Sequence, residues 1–159
     1  MRGAILLMIG IGVAIGLAVP MKRQVAPAAE PVAPKATDAP RQTRLLRASN
    51  GHFYTDAFVN GKTVHFIVDT GSTDVALTLS DARMIGLNVD PTQFRVVGTG
   101  ASGAVMGQQV NLGEVNLDGK RVRDIQGVVL QGLEVSLLGE TYLRQLKGVE
   151  INADTMTLR

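Results

Sequence analysis

The 159-residue sequence contains no cysteine and no tryptophan. The first absence excludes disulfides, thiol catalysis and thiolate metal sites, and it leaves the redox compartment undetermined, because a chain without thiols suits either side of a membrane. Aromatic residues are scarce altogether, 4% with two Tyr, which argues against a platform for stacking bases or single-stranded nucleic acid. Histidine is nearly absent too. His52 and His65 have no ligand-like spacing with acids or with each other, so a strand-surface or satisfied core role is expected and no metal site. There is no glycine loop with Lys and Ser/Thr to cradle phosphates, and no serine nucleophile motif with a matching His and Asp. No cofactor is expected. With 45% hydrophobic and 19% charged residues the chain still has a core to build, and its length allows one domain of ordinary size with extensions.

Charge of one sign is missing from neither half, but it is unevenly spread. Residues 1–44 hold six Lys/Arg and two acids, net +4, while residues 45–159 hold ten and twelve, net −2. The basic character belongs to the N-terminal extension, and no nucleic-acid partner is expected for the folded part.

Three regions follow along the chain. Residues 3–21 are nineteen consecutive uncharged residues, mostly apolar, and a helix of that length matches the thickness of a bilayer core. A signal peptide would need a small-x-small cleavage site, which Gly16-Leu17-Ala18 offers. The long continuous run favours an uncleaved anchor, with a short inside tail and an exported domain. Residues 22–44 form a Pro/Ala-rich linker; Pro20, Pro27, Pro31, Pro34 and Pro40 are five of the six prolines, so helix is excluded and an extended spacer is expected. Residues 45–159 read as the folded domain.

In that domain, residues 51–59 and 62–68 flank Asn60-Gly61, a strong hairpin signal, with Val64, Phe66 and Val68 alternating against His65 and Ile67. Asp118-Gly119 implies a second hairpin between residues 110–117 and 120–130. Helical signals are short: Ser80 as an N-cap, and residues 140–146 after Gly139. The pattern predicts a mostly β domain, a small barrel or a sandwich.

The informative stretch is Phe66-Ile67-Val68-Asp69-Thr70-Gly71-Ser72. A carboxylate directly after an apolar strand sits at the edge of a core, where loss of water disfavours its charge unless nearby donors hold it. Gly71 lets a backbone N–H approach the carboxylate, and Ser72 is expected to donate its hydroxyl to it. An isolated Asp-Thr-Gly is usually a plain turn. Farther on, Leu137-Leu138-Gly139 ends an apolar strand and opens a short helix.

With both motifs in place, residues 51–159 resemble the single-lobe, retropepsin-like aspartic proteases, whose signature is an apolar pair before Asp-Thr-Gly-Ser/Ala and, later, an apolar pair followed by Gly that passes behind the Asp loop. The overall plan is most similar to a bacterial membrane-anchored branch. The resemblance implies an all-β, small closed acid-protease barrel with one or two short helices. It implies an aspartic endopeptidase with Asp69 as the catalytic carboxylate, Thr70 interlocking with its mate, and Gly71 positioning the carboxylates. A flap is implied over Thr99, Gly100, Ala101, Ser102 and Gly103. In viral relatives an acid two residues beyond the motif Gly pairs with an Arg after the second-motif Gly; Thr73 and Glu140 occupy those places here, so that ion pair is absent. Asp74 reads as a solvated loop charge.

The sequence has one Asp-Thr-Gly and no second one, and two carboxyl groups are needed: one ionised to take a proton from water, one neutral to polarise the scissile carbonyl. A homodimer with one Asp69 from each protomer is therefore expected, acting on protein or peptide. The expected location is the inner membrane, held by residues 3–21, with the protease domain on the periplasmic side. The rival reading is a non-catalytic dimerisation or peptide-binding module of the same fold.

Overall fold

The computed structural model describes residues 39–100 and 103–159. The apolar run at 3–21, linker residues 22–38, and Ala101 and Ser102 at the flap tip lie outside the described residues. The chain divides into units Met1–Pro34 and Lys35–Arg159, and everything described belongs to the second.

Asn60 and Gly61 take positive φ values of 50° and 81°, the geometry that lets a two-residue turn follow the twist of its strands. They join β2 (Tyr54–Val59) to β3 (Lys62–Val68), antiparallel from Tyr54↔Ile67 to Val59↔Lys62. Before them runs β1 (Thr43–Leu46), and after them come β4 (Val75–Leu77), α1 (Leu79–Met84) and a 3₁₀ turn at Pro91–Gln93. Next are β5 (Arg95–Gly100), β6 (Gly103–Leu117), β7 (Lys120–Leu130), β8 (Ser136–Leu138), α2 (Glu140–Leu143), β9 (Val149–Asn152) and β10 (Thr155–Leu158).

The main sheet runs β2-β3-β8-β4-β7-β6-β5, and an added β2–β6 pairing at Phe58↔Asn116 and Val59↔Val115 closes six of these strands into a barrel. Closure leaves β5 outside, hydrogen-bonded only to β6. Val64, Phe66 and Val68 point inward from β3 as their alternation predicts, joining Val59, Val75, Leu77, Leu112, Val115 and Leu138 in the core. β1, β10 and β9 form a separate three-stranded sheet.

Three boundaries differ from the sequence reading. β1 begins at Thr43, inside the segment assigned to the linker, because the buried Lys120 ammonium holds the Arg41 carbonyl and Thr43 Oγ1, while Thr43 Oγ1 donates to Asp118 Oδ2 at 2.6 Å. The cap of α1 is Thr78, whose hydroxyl accepts the Asp81 N–H at 3.0 Å; Ser80 falls within the first turn. α2 stops at Leu143, and Gln145 and Leu146 continue it only as turns, their N–H groups bonding to carbonyls three residues back.

Candidate active site

β3 runs beside β8 in parallel, with Phe66↔Ser136, Ile67↔Leu137 and Val68↔Leu138 in register. This pairing delivers the two motifs side by side at one end of the barrel. Asp69 continues the ladder by one bond, its N–H donating to the Leu138 carbonyl at 3.1 Å, and then the chain turns, with the Ser72 N–H on the Asp69 carbonyl at 3.2 Å. The Asp69 carboxylate is half-buried and accepts the Gly71 N–H on Oδ1 at 2.9 Å, as expected. A Cβ on Gly71 would stand 3.3 Å from that same oxygen. Among the described residues no side chain bonds to the carboxylate.

The Ser72 hydroxyl does otherwise than expected. It donates to the Asp74 carbonyl at 2.9 Å and not to Asp69. A turn that closes at Ser72 leaves the Asp74 carbonyl nearby without a strand partner, and an unpaired carbonyl competes well for a neighbouring hydroxyl.

Gly139 passes directly behind this loop. A Cβ there would lie 2.7 Å from the Ser72 carbonyl oxygen and closer still to that of Asp74. Closeness, not φ, demands glycine. The next residues lock the approach: the Glu140 N–H donates to the Ser72 carbonyl at 2.8 Å and the Thr141 N–H to the Thr73 carbonyl at 2.9 Å. Thr73 and Glu140 thus meet the rest of the site through backbone, and Glu140 forms no ion pair among the described residues.

Two elements of this brace were missed in the sequence. Thr141 Oγ1 accepts the Val75 N–H at 3.0 Å, tying the start of β4 to α2. Ser136, wholly buried, accepts the Thr78 N–H at 3.1 Å and donates to Asp81 Oδ2 at 2.6 Å. The spacing Thr78-x-x-Asp81 is a helix-start pattern, but neither Thr141 nor Ser136 carries a local signal.

Thr99, Gly100 and Gly103 lie on the β5–β6 hairpin, with Thr99↔Ala104 and Gly100↔Gly103 in register, all of them exposed. His65 sits on the exposed face of β3, its Nδ1 2.6 Å from Asp56 Oδ1 and its ring stacked on Tyr54. No group of three or more His, Cys, Asp or Glu side chains among the described residues could hold a metal ion, and no described helix is long and apolar enough to cross a membrane.

A six-stranded barrel whose Asp-Thr-Gly loop is backed by an apolar-apolar-Gly segment defines the retropepsin-like fold of single-lobe aspartic proteases. Residues 55–145 match the "gag-polyprotein putative aspartyl protease" family, and the chain belongs to it. Among solved structures, the chain is similar to a retropepsin-like aspartic protease from Rickettsia conorii, with 36% identity and a TM-score of 0.63 over 74% of this chain and 90% of that one. An uncharacterized protein of Rickettsia prowazekii (strain Madrid E) is 35% identical over 115 residues, 72% of this chain and 49% of its own length. An uncharacterized protein in the cobV 5' region of Sinorhizobium sp is 34% identical over 125 residues, 77% of this chain and 54% of its own. The chain thus spans about half the length of these curated relatives.

Proposed function

We propose that the chain is an aspartic endopeptidase whose active site is completed by a second copy of itself. The observation that carries this reading is the Asp69 loop. Its carboxylate follows a core strand, is oriented by the Gly71 N–H, and has no side-chain partner among the described residues.

One carboxylate is half of the chemistry. With Asp69 of each protomer facing across a two-fold axis, two carboxylates about 3 Å apart cannot both ionise cheaply and share one proton. The ionised member takes a proton from water as the water oxygen attacks the peptide carbonyl; the protonated member gives a hydrogen bond to the carbonyl oxygen as it becomes a tetrahedral oxyanion. Proton transfer to the departing amine completes hydrolysis. Thr70 then braces the pair across the dimer, and the β5–β6 hairpin with Thr99, Gly100, Ala101, Ser102 and Gly103 closes over a bound peptide. Residues 3–21 anchor the protein in the inner membrane, with the domain on the periplasmic side.

The test is peptide hydrolysis by the purified full chain beside Asp69→Asn. The amide retains an oxygen for the Gly71 N–H, so the fold survives, but it can neither take nor share the proton; a loss of about a thousandfold or more is expected. Undiminished turnover by the pure variant overturns the assignment. Protease added to spheroplasts reads the topology: digestion of the domain supports the periplasmic placement and full protection reverses it.

A further inference from the structure

The ladder between β2 and β3 continues past its last register pair. Tyr54 pairs with Ile67, and the Val68 N–H then donates to the Phe53 carbonyl at 2.9 Å. Carried one residue further, the same register sets His52 opposite Asp69. Side chains along a strand alternate between its two faces. Phe53, Thr55, Phe66 and Val68 are buried, so Tyr54 and Ile67, and one step on His52 and Asp69, belong to the outer side of the barrel. Leu137, in register with Ile67 and flanked by the buried Ser136 and Leu138, joins them from β8. A peptide whose carbonyl reaches Asp69 lies against this side.

His52 is exposed, yet its backbone is fastened at both ends. Its N–H donates to Asn50 Oδ1 at 3.3 Å and its carbonyl accepts the Ala48 N–H at 2.8 Å. The Asn50 amide in turn donates to the Tyr54 hydroxyl at 2.7 Å, and the His52 ring meets the Tyr54 ring edge-on, 6.3 Å between centroids. Among the described residues the His52 imidazole has no hydrogen bond and no ion pair. His65, the other histidine of the chain, shows what such a ring takes here. Its Nδ1 lies 2.6 Å from Asp56 Oδ1, and Tyr54 stacks on it at 5.4 Å. Both imidazoles flank Tyr54, and one of them has a carboxylate.

We propose that His52 is a specificity-determining residue of the Asp69 site, and that the carboxylate it lacks comes from the substrate as a Glu or Asp side chain of the peptide. This rests on the reading of Asp69 as the catalytic carboxylate. An imidazole N–H donates to a carboxylate in either protonation state, and the protonated ring adds the opposite charge. A lysine in the same place meets a like charge and a leucine offers no acceptor. An extended peptide advances about 3.4 Å per residue, so the acid belongs within about three residues of the cleaved bond. Tyr54, half-buried beside His52, supplies ring surface for the aliphatic stem of a glutamate.

The experiment uses the full chain in neutral-detergent micelles and one library of synthetic decapeptides, matched in pairs that exchange Glu for Gln at each position. Two profiles are recorded: hydrolysis by the parent, and binding to the Asp69→Asn chain, which needs no chemistry. Both are expected to favour Glu at one position by about tenfold, in hydrolysis through KM more than kcat because the contact is made on binding. His52→Gln, in either background, is expected to bring that ratio below about twofold, and His52→Lys to retain most of it. Arg83→Gln, which removes a cation from the exposed end of α1, is expected to leave the ratio unchanged. Hydrolysis without a Glu preference, or with one that His52→Gln leaves intact, overturns the inference and spares the protease reading. No hydrolysis, together with a His52-dependent Glu preference in binding, supports the inference and overturns the protease reading. Neither hydrolysis nor such a preference overturns both.

Discussion

Ser72 gives its hydroxyl to the carbonyl of Asp74, 2.9 Å away, while the carboxylate of Asp69 is held instead by the Gly71 N–H. The oxygen of Ser72 therefore stabilises the shape of the loop and not the charge at its centre. Ser72→Ala is expected to cost about 1 kcal/mol of stability, the net worth of one hydrogen bond. The acid limb of the activity profile is expected to stay where it is, because no donor to the carboxylate has been removed. A denaturation midpoint and a pH–rate profile on the same preparation check both. An acid limb displaced toward neutral pH would place the hydroxyl on the carboxylate after all.

Gly139 tolerates no side chain. The carbonyl oxygens of Ser72 and Asp74 occupy the space a Cβ needs; the first cannot withdraw without straining the Glu140 N–H bond, nor the second without straining the bond from the Ser72 hydroxyl. Gly139→Ala is expected to lower stability by about 2–3 kcal/mol, the usual cost of forcing atoms into packed space. Activity is expected to fall further than the loss of folded protein explains, since the loop that carries Asp69 must shift. A urea midpoint within the error of the parent would refute the close approach.

If each active site takes one Asp69 from each protomer, activity depends on assembly. Well below the dimer dissociation constant, tenfold dilution is expected to lower the rate about a hundredfold, because dimer concentration follows the square of monomer concentration. Adding an equal amount of Asp69→Asn protein to a fully dimeric sample, with free exchange, is expected to lower activity to about half, as parent subunits are drawn into mixed dimers. A rate strictly proportional to concentration, together with no effect of the variant, would assign the chemistry to the single chain.

What the sequence made legible was local. Asn60-Gly61, the alternation of Val64, Phe66 and Val68, and the approach of the Gly71 N–H to Asp69 all follow from neighbouring residues, and all are present. The Ser72 partner differs from the expectation because the backbone path of the loop, which the sequence does not show, sets its hydroxyl on the Asp74 carbonyl. Thr141 and Ser136 were silent because their partners, Val75 and Thr78, are 66 and 58 residues away. The β1-β10-β9 sheet was missed for a related reason. Its strands are four residues each with little periodicity of their own; β1 is defined by pairing with β10 from the other end of the domain, while β9 and β10 pair as sequence neighbours.

Tyr142 and Lys120 act in opposite senses on stability at alkaline pH. The Tyr142 ring is fully buried, and its hydroxyl donates to the Lys120 carbonyl at 2.7 Å. Burial raises its pKa above the ordinary value near 10; a backbone hydrogen bond with Leu117 opposes the rise and the nearby Asp118 carboxylate adds to it. Above about pH 10 the unfolded chain thus releases a proton that the folded chain retains, and stability falls as pH rises. Lys120 acts in the opposite sense. Its pKa is lowered by burial, so the unfolded chain binds more protons up to its own pKa near 10.5, and stability rises with pH until then. Tyr142→Phe removes the first effect and leaves the second. The variant is expected to lose about 1 kcal/mol at pH 8 with its hydrogen bond, and to decline less than the parent between pH 10 and 11.5, where all other groups titrate alike in both proteins. Urea midpoints at pH 8, 9.5 and 11 decide it: converging curves support the buried, protonated phenol, whereas parallel curves would mean that the Tyr142 hydroxyl ionises as freely in the fold as outside it.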